Sequence, residues 1–332
     1  MKKLTLIITV LLLAGTAMRG NAQVDPHFSQ YYADPLWLNP ALTGAFDGDI
    51  RLSSNFRDQW TGLSDGYKTG GLTMDFRPTQ KVGIGLNILN QAAGTAGYNY
   101  FTAGISFSYN IAVADGGLKK LHFGVEAGLI NRSFDPSKLQ LDDQYNPGVG
   151  FDPNMPSFET FSASNAVSFD SSVGVFYYDA DPTSKAKIFG GISVAHLTDE
   201  KDPFAADGLQ TKLPMRFTIH GGVKIAATDN IDVTPNLIYI RQQQNQIKAA
   251  GAYSEFKLQD DSGLILGAMY RINDAAVADI GYHLNNMVVG ISYDFTTSAL
   301  NTATSGQGGF ELSLNYVFGK KSSSSASTVP MF

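Results

Sequence analysis

Stretches of alternating hydrophobicity recur along this chain from about Asp49 to Phe318, and that period-two pattern constrains the fold more than any single residue. The last stretch shows it best. Phe310, Leu312, Leu314, Tyr316 and Phe318 interleave with Glu311, Ser313, Asn315 and Val317, so one face is oily and the other mostly polar. One such strand also suits a soluble sheet. Roughly fourteen in a row point to an all-β architecture: a transmembrane antiparallel β-barrel of outer-membrane type, apolar outside and wet inside.

Composition supports a lipid-facing wall. The chain is 43% hydrophobic and only 16% charged, against about a quarter charged in ordinary soluble proteins. Past Gln23 no apolar run approaches the roughly twenty residues of a membrane helix. Thirty-four glycines let strands bend around a closed wall, and fifteen tyrosines suit a headgroup interface. There is no cysteine, which excludes disulfides and thiol catalysis. The balance is acidic, with 30 Asp and Glu against 24 Lys and Arg, and argues against nucleic acid.

The N-terminus reads as a secretory signal over residues 1–22. Lys2 and Lys3 precede an apolar core from Leu4 to Ala17, and Gly20-Asn21-Ala22 is a small-x-small cleavage site. The mature chain then starts at Gln23 and is destined for the outer membrane. Residues 23–48 carry Pro26, Pro35 and Pro40, each of which removes a ladder donor. They read as an irregular lead-in, neither helix nor barrel strand, with aromatics filling or underpinning the barrel mouth. Residues 49–319 form the barrel and 320–332 a Ser-rich tail.

Outward positions can be assigned from the pattern: Leu72, Met74 and Phe76; Val82 to Ile88; Phe101 to Tyr109; Leu121 to Leu129; Val173 to Tyr177; Ile188 to Val194; Met215 to Ile225. Register is least legible between 231 and 258. A break from about Ser133 to Val167 and a second from Thr198 to Lys212 are too long for ordinary turns and suggest functional loops at one rim.

The chemistry-bearing residues fall short of any catalytic pattern. His122 and Glu126, four apart on a strand, share a face, which a wet lumen explains. Gly191-Ile192-Ser193-Val194-Ala195 is not a nucleophile elbow. His196 with Asp199 and Glu200 imitates a protease-like rim cluster, but a strand running into a polar loop accounts for it. Gly83-Ile84-Gly85 lacks a following helix to bind phosphate. Asp142-Asp143 and Asp260-Asp261 lack the further ligands of a calcium loop. No catalytic residue, metal or cofactor is expected.

The most specific signal lies after the signal peptide: Pro26-His27-Phe28-Ser29-Gln30-Tyr31, then Pro35-Leu36-Trp37-Leu38-Asn39-Pro40-Ala41 and Gly44, then Arg57-Asp58-Gln59-Trp60. These three blocks resemble the PorP/SprF family of type IX secretion and gliding-motility membrane proteins. The resemblance implies an outer-membrane barrel that is not an enzyme. It would place a secreted surface adhesin through that adhesin's C-terminal sorting domain, or link to periplasmic components of the machinery. Phe28, Gln30, Tyr31, Pro35, Leu38, Asn39, Pro40, Arg57, Gln59 and Trp60 become the expected partner-binding or barrel-plug residues. Asn39-Pro40 would set a tight turn leading into the first strand, and Arg57, Gln59 and Trp60 would ring its far end. The expected partners are protein and membrane lipid. The rival reading is a passive or substrate-specific diffusion channel; a hydrolase is the third.

Overall fold

The computed structural model describes residues 25–60, 62, 66–113, 118–152, 154–158, 163–198, 213–259 and 261–319. The expected signal peptide, the Ser-rich tail and most of the loop from Thr198 to Lys212 lie outside them. Among the described residues the chain forms a closed antiparallel barrel of fourteen strands and one small separate hairpin.

The first five strands are β1 (Ile50–Gln59), β2 (Tyr67–Phe76), β3 (Val82–Ala93), β4 (Tyr98–Ala112) and β5 (Lys119–Ser133). The small hairpin, β6 (Tyr145–Asn146) and β7 (Gly150–Phe151), sits in the loop that follows. The wall resumes with β8 (Asn165–Asp179), β9 (Ala186–Ala195), β10 (Arg216–Thr228), β11 (Ile231–Gln242) and β12 (Asn245–Gln259). It ends with β13 (Ser262–Arg271), β14 (Ala275–Leu284), β15 (Met287–Thr296) and β16 (Gln307–Phe318). β1 closes the barrel on β16, from Ile50 opposite Phe318 to Gln59 opposite Gly309. Closure leaves no open edge, the condition for strands to cross a bilayer.

Side-chain direction follows the period. Ile50, Phe56, Leu72, Met74, Phe107, Leu312 and Phe318 are exposed on the outer wall, while Arg51, Ser53, Arg57, Glu311 and Ser313 are buried inside it. The uncertain stretch resolves into the β11–β12 hairpin, with Ile231 opposite Phe256 and Gln242 opposite Asn245. The two rims differ. β10–β11, β12–β13 and β14–β15 are joined by two-residue turns at one mouth, whereas the strands flanking the longer connections 134–164, 196–215 and 297–306 end at the other.

The interior departs from the wet lumen expected. Leu89, Tyr100, Ile130, Phe176, Tyr178, Phe189, Ile238, Met269 and Val277 point inward and are buried. They pack in two clusters with Phe28, Tyr31, Leu38, Ala41 and Leu42 of the lead-in. The reason is that the lead-in runs inside the barrel and presents apolar side chains to the inner wall. Each fully buried Leu or Phe contributes about 1.5–3 kcal/mol, which favours apolar wall residues where the lead-in presents apolar side chains.

Candidate functional site

The lead-in threads the whole bore. Asp25 stands beside His196 and Arg216 at the long-loop mouth. At the other mouth, Asp49 donates its backbone N–H to the Phe318 carbonyl. The aromatics therefore line the length of the bore rather than filling one mouth. The segment is also not devoid of helix. Tyr31–Ala33 and Pro40–Leu42 are 3₁₀ turns, and Pro35–Leu38 is a single turn of α-helix, α1. Pro35 and Pro40 each begin their turn, where a fixed φ suits the backbone and no N–H is needed.

Three anchor groups tie this segment to the wall. The first is built on Arg57. Its guanidinium reaches Asp294 Oδ2 and Glu311 Oε2, both at 2.7 Å, and the Ser29 hydroxyl at 2.6 Å. Arg271 reaches the same Asp294 oxygen at 2.6 Å. Glu311 then accepts the backbone N–H of Ser29 at 2.7 Å and of Gln30 at 2.9 Å. The Ser313 hydroxyl donates to the Gln30 side-chain oxygen at 2.7 Å. A buried carboxylate with a cation and two backbone donors has its lone pairs satisfied. Arg57 is thus buried against the lead-in just inside the end of β1 rather than ringing it, and Gln59 and Trp60 reach that end.

The second group is built on Asn39. Its side-chain oxygen accepts from the Ala41 N–H at 2.9 Å, capping the Pro40–Leu42 turn. Its side-chain nitrogen donates to the Val175 carbonyl at 3.1 Å and lies 3.2 Å from His220 Nε2. The Leu38 carbonyl accepts from the Ser193 hydroxyl at 2.9 Å. Asn39-Pro40 therefore sits mid-bore against β8 and β9, and is not a turn into β1; the chain passes first through Gly48 and Asp49. Tyr31 donates its hydroxyl to Asn236 of β11 at 3.0 Å. The third group is an Arg51–Asp75 pair, whose two contacts measure 2.9 and 3.0 Å; Asp75 also takes the Gly44 N–H at 2.7 Å.

Glycine makes room for the backbone. A Cβ on Gly124 would collide with Pro40 and Ala41, on Gly174 with the Asn39 side chain, and on Gly290 with Gln30. At these positions the wall has no side chain so that the lead-in can lie against it.

At the long-loop mouth, His196 has Nε2 2.7 Å from Asp25 and Nδ1 3.0 Å from Asp170. Burial alone would lower its pKa, but the Asp25 and Asp170 carboxylates outweigh this and push it up to about 9. Asp25 shifts the other way: burial opposes ionisation, and His196 and Arg216 hold it well below the usual carboxylate range. Arg216 completes the cluster at 3.0 Å from Asp25, with its guanidinium stacked 4.1 Å from the Trp37 ring. Asp199 and Glu200, the partners first considered for His196, lie outside the described residues.

Above this cluster is an open cup of about 780 Å³. The two other described spaces against the lead-in hold about 40 and 10 Å³, room for a few waters at most. Trp60 borders the cup with φ +57°.

Of the expected site residues, Phe28, Gln30, Tyr31, Pro35, Leu38, Asn39, Pro40, Arg57 and Gln59 converge inside the bore and are buried, and Trp60 stands at its outer rim. Asp294, Glu311, Arg271, Asp75, Arg216 and Asp25 escaped sequence reasoning as members of the site. For Asp294, Glu311 and Arg271 the available signal was a charged residue at an inward position of an otherwise uncharged strand.

Comparison with known proteins follows this geometry. The toluene transporter TbuX of Ralstonia pickettii superposes with a TM-score of 0.51 at 12% identity, over 85% of this chain and 93% of that one. A FadL homologue of Pseudomonas aeruginosa gives 0.46 at 14% identity, over 91% and 96%. At such identity the TbuX match shows the barrel fold alone. No curated protein sequence matches the chain. Residues 20–316 match the model of the type IX secretion system membrane proteins PorP/SprF, and the chain belongs to that family.

Proposed function

We propose that this barrel is a non-enzymatic outer-membrane accessory of type IX export. In this reading it holds a secreted surface protein at the membrane, an adhesin through its C-terminal sorting domain, or links it to periplasmic components of the machinery. The observation that carries the reading is the occupied bore. The lead-in is tied to the wall by the buried Arg57–Asp294–Glu311 group and seated against glycines. Barrels of this size conduct only when their lumen is clear. A filled bore with long loops at one rim makes a rigid surface for a protein partner. Short turns face the periplasm in bacterial barrels, so the rim with the long loops and the cup faces the cell exterior.

Phe28, Gln30, Tyr31, Pro35, Leu38, Asn39, Pro40, Arg57 and Gln59 then act as the plug that makes this surface rigid, and Trp60 belongs to the surface itself. The test combines single-channel conductance in planar bilayers with surface proteomics of a deletion strain. The expected result is little or no steady conductance and the loss of one or a few large surface proteins. A large, steady conductance with an unchanged surface proteome would favour the diffusion channel instead.

A further inference from the structure

The cup at the long-loop mouth has a chemistry of its own. Its floor is the start of the described lead-in, Asp25 to His27, with Arg216 and Arg271. Those charges cancel locally: Arg216 lies 3.0 Å from Asp25, and Arg271 2.6 Å from Asp274. Its walls are mostly aliphatic, with Ile240, Ile247, Ile272 and Leu300, and Lys248 stands beside Ile247 in the lining. One side is the tip of the β11–β12 hairpin, where Gln242, Gln244, Asn245 and Gln246 line the cup and the Gln242 amide already donates to the Pro214 carbonyl at 3.1 Å. The opposite side is Trp60. A left-handed backbone costs an aromatic residue about 1–3 kcal/mol and persists only where the surroundings impose it. Here the Trp60 N–H donates to the Gly308 carbonyl at 2.7 Å, and its ring meets Tyr67 edge-on at 5.7 Å.

We propose that this cup seats an extended, uncharged stretch of the partner's polypeptide, reaching it from the cell exterior. The proposal rests on the anchoring function given above and names how the partner is held. Amide side chains present donors and acceptors together, the complement of a peptide backbone. The isoleucines and Trp60 take apolar side chains of such a chain. A cavity near 780 Å³ falls in the size range of well-formed ligand sites. A hydrocarbon would strip water from the Gln244 and Gln246 amides without replacing its hydrogen bonds, which is costly. An oligosaccharide would set its hydroxyls against Ile240, Ile247, Ile272 and Leu300. A charged segment would meet a floor whose Arg216 and Arg271 are already paired, and Lys248 would further repel a basic one.

Two experiments test it on the full-length protein. In cells, a photo-crosslinking residue replaces Ile247 inside the cup, and a control replaces Leu237 on the lipid-facing wall. The expected result is a protein adduct at 247 and not at 237, with the crosslinked peptide mapping to an uncharged stretch. In detergent, a Trp37→Phe background leaves Trp60 as the sole tryptophan reporter. A ten-residue peptide alternating valine and serine should shift Trp60 emission saturably. The same peptide with aspartate in place of serine, maltohexaose and toluene should not. Ile247→Lys should weaken the peptide response by about tenfold or more, by placing an unpaired charge in the wall. A protein adduct confined to highly charged segments, or a Trp60 response to maltohexaose or toluene but not to the neutral peptide, overturns the proposal. If deletion removes a surface protein while position 247 yields no protein adduct, the cup proposal falls and the anchoring function stands. If deletion leaves the surface unchanged while 247 still captures an uncharged peptide segment, the anchoring function falls and the cup remains a polypeptide site.

Discussion

Arg57 and Asp294 stand 237 residues apart in sequence and 2.7 Å apart inside the barrel, where they share the Ser29 hydroxyl of the lead-in. This one contact joins β1, β15 and the threaded segment. Neither strand adjoins the other, since β16 lies between them. The guanidinium spans the inner face of β16, taking Glu311 on the way.

Replacing Arg57 with Met should therefore loosen the lead-in rather than only weaken one strand pair. Glu311 keeps its N–H donors but loses its cation, while Asp294 retains Arg271. Breaking one side of a buried ion pair costs about 3–5 kcal/mol. Denaturant unfolding in detergent should show a loss of that order, and the double variant Arg57→Met, Glu311→Leu should recover part of it. A loss no greater than a surface substitution gives would remove this group from the account of stability.

The glycine seats yield a test that separates barrel from lead-in. Gly124→Val should leave the wall closed, because the added atoms point into the bore, where they meet Pro40 and Ala41. Chymotrypsin should then cut rapidly around Tyr31 and Tyr32, which are protected in the parent protein. Equal resistance in both proteins would show that the lead-in accommodates the side chain.

Asn39 offers a near-isosteric test. Asn39→Ala removes the cap, costing about 0.5–2 kcal/mol. Asn39→Asp keeps the cap oxygen but sets a carboxylate oxygen where the amide donates to the Val175 carbonyl. The aspartate variant should be the less stable of the two by thermal unfolding. The reverse order would mean that the cap, not the bond to β8, is what Asn39 supplies.

The cluster at the long-loop mouth predicts a pH dependence. His196 has its pKa raised to about 9 by Asp25 and Asp170, against the opposing effect of burial. A raised histidine stabilises the folded state fully below its unfolded value of about 6.5. The contribution declines as pH rises from there and is gone above about 9. Protection of residues near Asp25 from hydrogen exchange, corrected for the intrinsic rate, should fall between pH 6.5 and 9. His196→Gln should flatten the profile, and an unchanged profile in that variant would assign the dependence elsewhere.

The wall and its outward face could be read from the chain because a period of two is a local property: each residue's direction follows from its neighbour's. Phe310, Leu312 and Phe318 outside, with Glu311 and Ser313 inside, needed no knowledge of the rest of the molecule. Strand number and the family were legible for the same reason, since both are written in contiguous residues. The path of the lead-in was not. Its proline-rich composition said only that it was no strand, and the aromatics were assigned to a mouth when they line the bore. Nor could local pattern say that Phe176 and Tyr178 point inward to meet it, although they occupy the parity that elsewhere is polar. Which charges meet which was decided by closure of the barrel around the threaded segment. That event brings Asp25 to His196, Asn39 to Val175 and Arg57 to Asp294 across separations of 136 to 237 residues. Contacts at such range depend on where every intervening strand has already been placed, and a period of two carries no information about that.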